Sequence, residues 1–378
     1  MSGLTKGSPT EYTFRPILPV SSTLLVGLVP VIDDAALRFA IQQIAQGQSL
    51  SREATMAAFG VLMRGEAGVA QSAALLMGLR TKGETPDEVA GAALALRRAM
   101  VPLAADNRDE LVDTCGTGGG QVCTLNISTA AAFVVAGAGV PVAKHGNRSH
   151  TSRSGSADVL EALGIDIGVP PDRAGEVLRS TGLVFLFAPT YHPAMRHLAA
   201  VRKELGVPTI MNLLGPLVNP AGVGRQVIGA ADRSRAALLA SALANLGAKH
   251  ALVLHAEIGM DEISPSGMTL VWEVQEGRTR TWEVNPATFG LDCSALDGLQ
   301  GGEPAENATR IEATLSGGGD TAVRCAVLLN AAAALYVAGR GWTFEEAVKR
   351  SRTALDSGAA AAVLTRLRAA ASAVSTSG

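Results

Sequence analysis

The chain has 378 residues, which is long enough for two domains or one large one. Hydrophobic residues make up 47% of it and charged residues 17%, a balance that excludes a mostly disordered chain. Because the formal net charge is only −2, we expect no nucleic-acid partner. The four cysteines lack metal-ligand spacing, which predicts buried thiols in a reducing, cytoplasmic compartment.

The first 32 residues have neither a signal peptide nor a membrane-spanning pattern. Their most apolar stretch is interrupted by Pro19, Gly27 and Pro30, and the residues before it lack a basic cluster. We therefore predict a partly ordered leader over residues 1–32 and no membrane association.

Residues 33–107 carry helical patterns. Leu37, Ile41 and Ile44 recur at helical spacing. The segment 85–88, Thr-Pro-Asp-Glu, combines an N-cap threonine with a glutamate three residues later, which is a capping box ahead of a helix over 89–100. These patterns predict a small helical domain over residues 33–107.

Residues 108–378 alternate between short apolar strands, glycine turns and helices. A strand at 111–114, a helix at 129–136 that Ser128 could cap, and a strand at 140–143 indicate a right-handed parallel βαβ unit. Further predicted elements are helices at 156–164, 193–205, 322–338 and 344–355, a strand at 251–255 and a hairpin at 268–284. We predict a large α/β domain over 108–378, with the segment near 190–206 open to joining either domain.

Four groups of residues carry the chemistry. The first is the glycine-rich turn 116–120, whose backbone amides can approach an anion, although such a turn also serves strand-to-helix geometry alone. It lacks the GxGxxG and GK[ST] patterns, which excludes the dinucleotide and P-loop interpretations. The second is the segment 126–129, where Ser128 is either an ordinary helix cap or an oxygen ligand for Mg²⁺.

The third group is the segment 144–148, Lys-His-Gly-Asn-Arg, which is followed by several hydroxyl residues and a helix. It suits a phosphate clamp, and the alternative is a solvated basic loop. The fourth is Asp261-Glu262, just beyond a buried strand. Adjacent carboxylates in that position can hold one or two Mg²⁺ ions against a diphosphate, although a lone acidic pair is more often on the surface.

In this order the four groups resemble the anthranilate phosphoribosyltransferase family. The resemblance spans residues 35–360 and rests on these segments: DTCGTGG at 113–119, LNIST at 125–129, KHGNR at 144–148, VRKELG at 201–206, NLLGPLVNPA at 212–221, GMDEIS at 259–264 and GGEPAENA at 301–308. It implies a nucleoside phosphorylase/phosphoribosyltransferase-like fold: a small helical N-terminal domain, which the helical segment near 190–206 joins, and a large α/β domain with a central, mostly parallel sheet. It also implies a homodimer formed through the helices.

The resemblance further implies the site residues. Phosphoribosyl diphosphate is expected to contact Gly116, Gly119, Gly120, Thr124, Asn126, Ile127, Ser128, Thr129, Lys144, His145, Gly146, Asn147, Arg148, Ser149, His150, Thr151, Ser152 and Ser156. Anthranilate is expected at Gly116, Asn147 and Arg202, and Mg²⁺, two ions per chain, at Ser128, Asp261 and Glu262. His145 and His192 are candidates for orienting the amine or relaying a proton, and either could instead be structural.

One position departs from the family pattern. Similar enzymes read GTGGDG, whereas this chain has Gly120 in place of the aspartate. Two other interpretations stay open at this point, a pyrimidine nucleoside phosphorylase and a non-catalytic relative that binds nucleic acid. The segment 144–148 and the Asp261-Glu262 pair disfavour the first, and the near-neutral charge disfavours the second.

Overall fold

The computed structural model describes residues 34–105, 107–119, 122–149, 153–293 and 296–375. The predicted leader at 1–32 therefore lies outside the described residues, as do Gly120, His150, Thr151 and Ser152. None of the described helices is long and apolar enough to cross a membrane.

The elements follow one another in this order: α1 Ala35–Ala45, α2 Arg52–Arg64, α3 Val69–Lys82, α4 Pro86–Ala99, β1 Val112–Gly116, α5 Ile127–Gly137, β2 Val142–Gly146, α6 Ser156–Ala162, α7 Pro171–Thr181, β3 Leu183–Phe187, α8 Ala188–Tyr191, α9 Arg196–Leu205, α10 Met211–Leu214, β4 Arg225–Gly229, α11 Arg233–Asn245, β5 His250–Ala256, β6 Thr269–Gln275, β7 Arg278–Val284, α12 Pro304–Leu315, α13 Thr321–Val337, α14 Phe344–Asp356 and α15 Ala359–Ser375. Short 3₁₀ turns join several of them. The architecture confirms the predicted fold class.

The seven strands form one sheet in the order β3-β2-β1-β4-β5-β6-β7. The neighbouring strands from β3 to β5 pair in parallel. The strand β6 is antiparallel to both of its neighbours, β5 and β7. From β1 the chain first adds β2 and β3 on one side and then adds β4 and β5 on the other side. The order therefore reverses at β1, and open α/β sheets bind ligands at such a switch point. The loops after β1, β2 and β5 consequently meet at one edge of the sheet.

Each face of the sheet has its own apolar core. One core joins the sheet to α5, α7, α13, α14 and α15. The other joins it to α11 and to the first four helices, and it includes Leu198 and Val201 of α9. The helix α9 contacts α2 and α3. The helices α1 to α4, which precede the first strand, and the helix α9 thus share one hydrophobic core.

Local sequence patterns predicted several secondary-structure elements correctly. Thr85 Oγ1 accepts a hydrogen bond from Glu88 N–H, and the Glu88 carboxylate accepts one from Thr85 N–H, so the capping box is confirmed. The hairpin of β6 and β7 is also confirmed, and its turn residues Glu276 and Gly277 have positive φ angles of 49° and 76°. Such angles match the twist of a two-residue hairpin.

Two predictions about local structure were wrong, and one helix was missed. Ser128 is not the N-cap of α5, because the helix already begins at Ile127 and Asn126 precedes it. The second strand runs over 142–146 instead of 140–143, so Lys144 and His145 lie within it rather than in the loop that follows. The last helix, α15, was not predicted.

Candidate active site

The glycine turn after β1 lies against the loop that carries Asp261. Gly116 and Gly229 are neighbours on β1 and β4, and Thr117 N–H donates to Gly229 O at 2.9 Å. A β-carbon on Gly116 would lie 2.7 Å from Asp261 Oδ2, and one on Gly229 would lie 1.5 Å from Asp261 O. Only glycine permits this approach, which brings the carboxylate to the end of β1.

The Asp261 and Glu262 side chains accept hydrogen bonds from residues within and between the first two groups, 116–120 and 126–129. Glu262 Oε2 accepts from Thr124 Oγ1 at 2.9 Å, and its carboxylate also accepts from the Ser128 N–H. Asp261 accepts from the Gly118 N–H. The predicted acidic pair and the anion-binding turn are therefore in direct contact.

Burial raises the pKa of both carboxyls, and the charge of Asp261 raises that of Glu262 further, to about 8. Two enclosed acidic groups that oppose each other's ionisation favour a cation between or beside them. Together with the Ser128 hydroxyl they form a hard oxygen donor set that suits Mg²⁺. Among the described residues no cluster of three or more His, Cys, Asp and Glu side chains is placed to hold a metal, so substrate oxygens and water have to complete such a site.

Lys144 lies at the centre of the arrangement. Its side chain is almost fully buried, and its ammonium donates to Thr114 O and, at 3.3 Å, to Ser128 Oγ. Burial lowers the pKa of Lys144, and the nearby Asp113 opposes that shift. The lysine thus delivers positive charge to the first turn of α5, where the dipole of the helix also favours an anion.

Asp113 is a functional candidate that sequence reasoning missed. It is fully buried within β1, accepts from His145 N–H at 3.3 Å and from Asn219 Nδ2 at 2.8 Å, and its pKa is raised by burial despite the charge of Lys144. Asn219 also donates to Ala143 O at 2.8 Å, which fixes β2 beside β1. The available signal was the position of these residues inside two of the matched segments, DTCGTGG and NLLGPLVNPA.

His145 and His192 form a buried pair whose ring centroids lie 5.0 Å apart. Burial lowers the pKa of His145 to about 3 and that of His192 to about 4, so both rings are neutral at pH 7. His145 Nδ1 lies 3.2 Å from Gly215 O, and neither Nε2 atom has a hydrogen-bond partner among the described residues. Both Nε2 atoms are themselves buried, so in this structure neither ring presents that nitrogen to the surface.

Only part of the predicted phosphate clamp at 144–148 is directed toward the Asp261 and Glu262 carboxylates. Arg148 forms ion pairs with Asp158 and Glu161 of α6, on the solvent side, at 3.1 and 2.5 Å. Ser156 Oγ donates to Asn147 O at 3.3 Å, which ties the start of α6 to the loop. In this structure Lys144 approaches the acidic pair, whereas Arg148 points to α6.

Arg202 lies on α9, which packs against the helices α2 and α3. Its side chain is half-buried, burial lowers its pKa, and it has no hydrogen bond or ion pair with any described residue. A half-buried guanidinium without a partner suits a carboxylate ligand.

A cavity of about 720 Å³ lies at the opposite end of the sheet, bordered by Arg225, Lys249, His250, Tyr336 and Trp342. Its cations are already engaged, because Lys249 pairs with Asp109 and Arg225 donates to the carbonyls of Asp109 and Val337. None of the candidate motifs borders it, so the chemistry is concentrated at the carboxyl end of the strands.

Comparison with known proteins agrees with this geometry. Residues 38–100 match the helical bundle domain of a glycosyl transferase family, and residues 108–361 match the a/b domain of the glycosyl transferase family. An anthranilate phosphoribosyltransferase of Bradyrhizobium sp. is 49% identical over 88% of this chain and 97% of its own length. One of Rubrobacter xylanophilus is 48% identical over 87% and 96%.

Two solved structures have the same fold. Anthranilate phosphoribosyltransferase from Thermus thermophilus superimposes with a TM-score of 0.82 at 43% identity and covers 88% of this chain and 99% of its own. The enzyme from Saccharomyces cerevisiae in complex with PRPP and Mg gives a TM-score of 0.82 at 26% identity and covers 90% and 99%. On these matches the chain belongs to the anthranilate phosphoribosyltransferase family.

Proposed function

We propose that this chain transfers the 5-phosphoribosyl group from phosphoribosyl diphosphate to the amine of anthranilate and releases diphosphate, a step of tryptophan biosynthesis. The observation that carries the proposal is the meeting of three features at one sheet edge: the glycine turn after β1, the buried Lys144, and the Asp261-Glu262 pair that contacts Gly118, Thr124 and Ser128. The similarity to relatives with this name over most of the chain supports the same activity.

The diphosphate is proposed to bind where Gly116, Gly119, the segment 124–129 and Lys144 converge, with residues 145–149 and Ser156 beside it. Glycines with φ angles of 66° at Gly118 and 79° at Gly119 turn backbone amides toward this region. Gly120 and residues 150–152 complete the proposed contacts and lie outside the described residues.

Mg²⁺ is the proposed cofactor, with two ions per chain and Ser128, Asp261 and Glu262 as the protein ligands. When bound, the metal neutralises charge that develops on the diphosphate leaving group. Lys144 and the amides at the start of α5 stabilise the same charge from the protein side. The ligands are oxygens throughout, as Mg²⁺ requires.

The acceptor is proposed to bind between the diphosphate contacts at the sheet edge and Arg202 on α9. Arg202 pairs with the anthranilate carboxylate, while Gly116 and Asn147 border the ring. The amine has a free lone pair and needs little activation, so positioning and electrostatic stabilisation carry most of the rate. His145 and His192, both neutral at pH 7, are proposed to orient the amine or accept its proton, which requires their buried Nε2 atoms to become accessible when the substrate binds.

We also propose a cytoplasmic homodimer that is formed through the first helices. The support is apolar exposure: Phe39 on α1 is 51% exposed, and Val69 at the start of α3 is 61% exposed. The helices α1 and α3 pack against each other, and burying these two side chains against a second copy would remove apolar surface from water. Sedimentation of the purified chain tests this, and a monomer at micromolar concentration would contradict it.

The activity is tested by mixing the purified chain with anthranilate, phosphoribosyl diphosphate and Mg²⁺. We expect loss of anthranilate fluorescence with equimolar formation of N-(5-phosphoribosyl)anthranilate and diphosphate, and no loss without the metal. A parallel reaction with a pyrimidine nucleoside and phosphate examines the rival activity. Turnover only in the second reaction would overturn the proposal.

A further inference from the structure

The segment 299–308, which has no role in the proposed reaction, packs against the loop that leads into α5. Leu125 N–H donates to Leu299 O at 2.8 Å, Gly301 N–H donates to Cys123 O at 3.0 Å, and Thr124 pairs with Gln300 in an isolated antiparallel bridge. A β-carbon on Gly301 would lie 2.5 Å from Thr124 O. The segment is therefore a backbone partner of the loop that bears Thr124 and Asn126.

Asn307, in the first part of α12, continues this contact with its side chain. It is 1% exposed. Its Oδ1 accepts from Gly302 N–H at 2.8 Å, and its Nδ2 donates to Asn126 Oδ1 at 3.1 Å. Because a backbone N–H can only donate, the Gly302 contact determines which end of the amide faces Asn126.

Asn126 passes the contact on to the loop before α6. Its Oδ1 also accepts from Ser154 Oγ at 3.1 Å, and its Nδ2 donates to Ser154 O at 3.0 Å. Although Asn126 immediately precedes α5, its side chain makes no capping hydrogen bond to that helix. Its amide instead links the loop after β1 to the loop after β2.

We propose that Asn307 is a positioning residue that acts through Asn126 and holds the two loops of the phosphoribosyl diphosphate site in register. Thr124 and Ser128, on either side of Asn126, are the residues that contact Glu262. Displacing Asn126 therefore shifts the proposed diphosphate contacts and leaves Arg202, on a different element, in place. This inference rests on the proposed function of these loops.

The test variant is Asn307→Asp, which keeps the volume and the acceptor for Gly302 N–H but replaces the donor to Asn126 with a second acceptor. Losing that donor should raise the Kd for phosphoribosyl diphosphate with saturating Mg²⁺ about tenfold in titration calorimetry. The KM for anthranilate at saturating phosphoribosyl diphosphate should change less than twofold. Asn307→Ala is the second variant and should behave in the same way.

The matched control is Thr314→Val, about two turns further along the same helix, because buried Thr314 Oγ1 donates to the backbone Arg310 O at 2.8 Å and makes no contact with Asn126 or Asn307. It should lower the Tm without changing the Kd. A coupling test adds Asn307→Ala to Asn126→Ala, and the second change should then have no further effect on the Kd.

The outcomes separate the two proposals. If the unaltered chain does not bind phosphoribosyl diphosphate with Mg²⁺, the proposed function fails and this inference fails with it. If the unaltered chain binds but the Asn307 variants bind equally well below their Tm, or if the effects with Asn126→Ala are additive, only the positioning role is overturned.

Discussion

The two ends of the sheet bury charge in opposite ways. Glu273 of β6 lies near the amino end of β5 and is 1% exposed. Its carboxylate accepts four hydrogen bonds: from His250 Nε2 at 2.8 Å, Arg280 Nε at 3.0 Å, Trp282 Nε1 at 2.7 Å and Tyr336 OH at 3.0 Å. Burial alone would raise the pKa of Glu273, but these partners hold it below its usual value. This carboxylate is fully satisfied by the protein itself.

The carboxyl end of the strands is not satisfied in this way. Burial raises the pKa of Asp261 and Glu262, and the charge of Asp261 raises that of Glu262 further. His145 and His192 each leave Nε2 without a partner among the described residues, and the Arg202 side chain forms no ion pair with a described residue. A fully bonded buried charge supports the fold, whereas buried groups with strongly shifted pKa values or missing partners are candidates for ligand contacts. The comparison therefore distinguishes a structural cluster from the proposed functional one.

Glu262→Gln and Asp261→Asn should have the largest effect on activity. Each removes a charged oxygen from the proposed metal site, so several kcal/mol of transition-state stabilisation are lost and kcat/KM should fall at least about a hundredfold. The thermal stability should stay the same or rise, because one of two mutually repelling carboxylates is removed. Initial rates across a Mg²⁺ titration and thermal melting measure both effects.

Near-normal rates for both variants at every Mg²⁺ concentration would contradict the metal assignment. A sharp fall in Tm alongside the lost activity would instead place these carboxylates with Glu273 as structural groups.

Glu273→Gln should show the reverse pattern. The amide cannot accept from all four donors, and a broken buried charge network of this kind costs about 3 kcal/mol of unfolding free energy. Denaturant unfolding measures the loss, and kcat/KM below the Tm should stay within twofold of the unaltered chain. A variant that is stable but inactive would refute the structural assignment of this cluster.

Arg202→Ala should separate the two substrates. Losing a charge-assisted bond to the anthranilate carboxylate should cost about 1.5–3 kcal/mol and appear in the KM for anthranilate. Binding of phosphoribosyl diphosphate, measured by calorimetry, should be unchanged. Arg98→Ala, which removes an exposed arginine on α4, is the charge control. Equal losses for both substrates would count against a specific acceptor role.

The histidine pair should produce the smallest effect, a pH dependence of stability. In the folded chain the pKa values are about 3 for His145 and about 4 for His192, below the ordinary value of 6.5. At acidic pH the unfolded chain therefore binds more protons than the folded chain. The contribution of the two histidines to the free energy of unfolding is present above pH 6.5 and is lost as the pH falls, by about 1 kcal/mol per histidine between pH 7 and pH 5.5.

Denaturant unfolding at several pH values measures this slope. His192→Gln should make the slope shallower whatever its effect on absolute stability. An unchanged slope would show that His192 titrates alike in both states.

The sequence predicted features whose determinants are local. The capping box at Thr85 and Glu88 and the hairpin turn at Glu276 and Gly277 depend on neighbouring residues, and both were found. The place of Asp261-Glu262 beyond a buried strand also followed from chain order, and the structure brings the pair to the glycine turn. Their assigned roles remain predictions.

Features that depend on distant contacts were missed. Lys144 was predicted to follow a strand that ends at residue 143, whereas pairing with β3 extends β2 through Gly146. Asn307 is 181 positions from Asn126, and nothing near it in the sequence indicates that contact. Tertiary hydrogen bonds between remote segments are invisible to periodicity and spacing.

Calorimetric titration with phosphoribosyl diphosphate, with and without Mg²⁺, tests the central contrast most directly when the unaltered chain, Glu262→Gln and Glu273→Gln are compared. We expect Mg²⁺ to tighten binding to the unaltered chain and to Glu273→Gln, whereas Glu262→Gln should lose most of this enhancement. Equal Mg²⁺ enhancement in all three proteins would refute the assignment of Glu262 as a metal ligand.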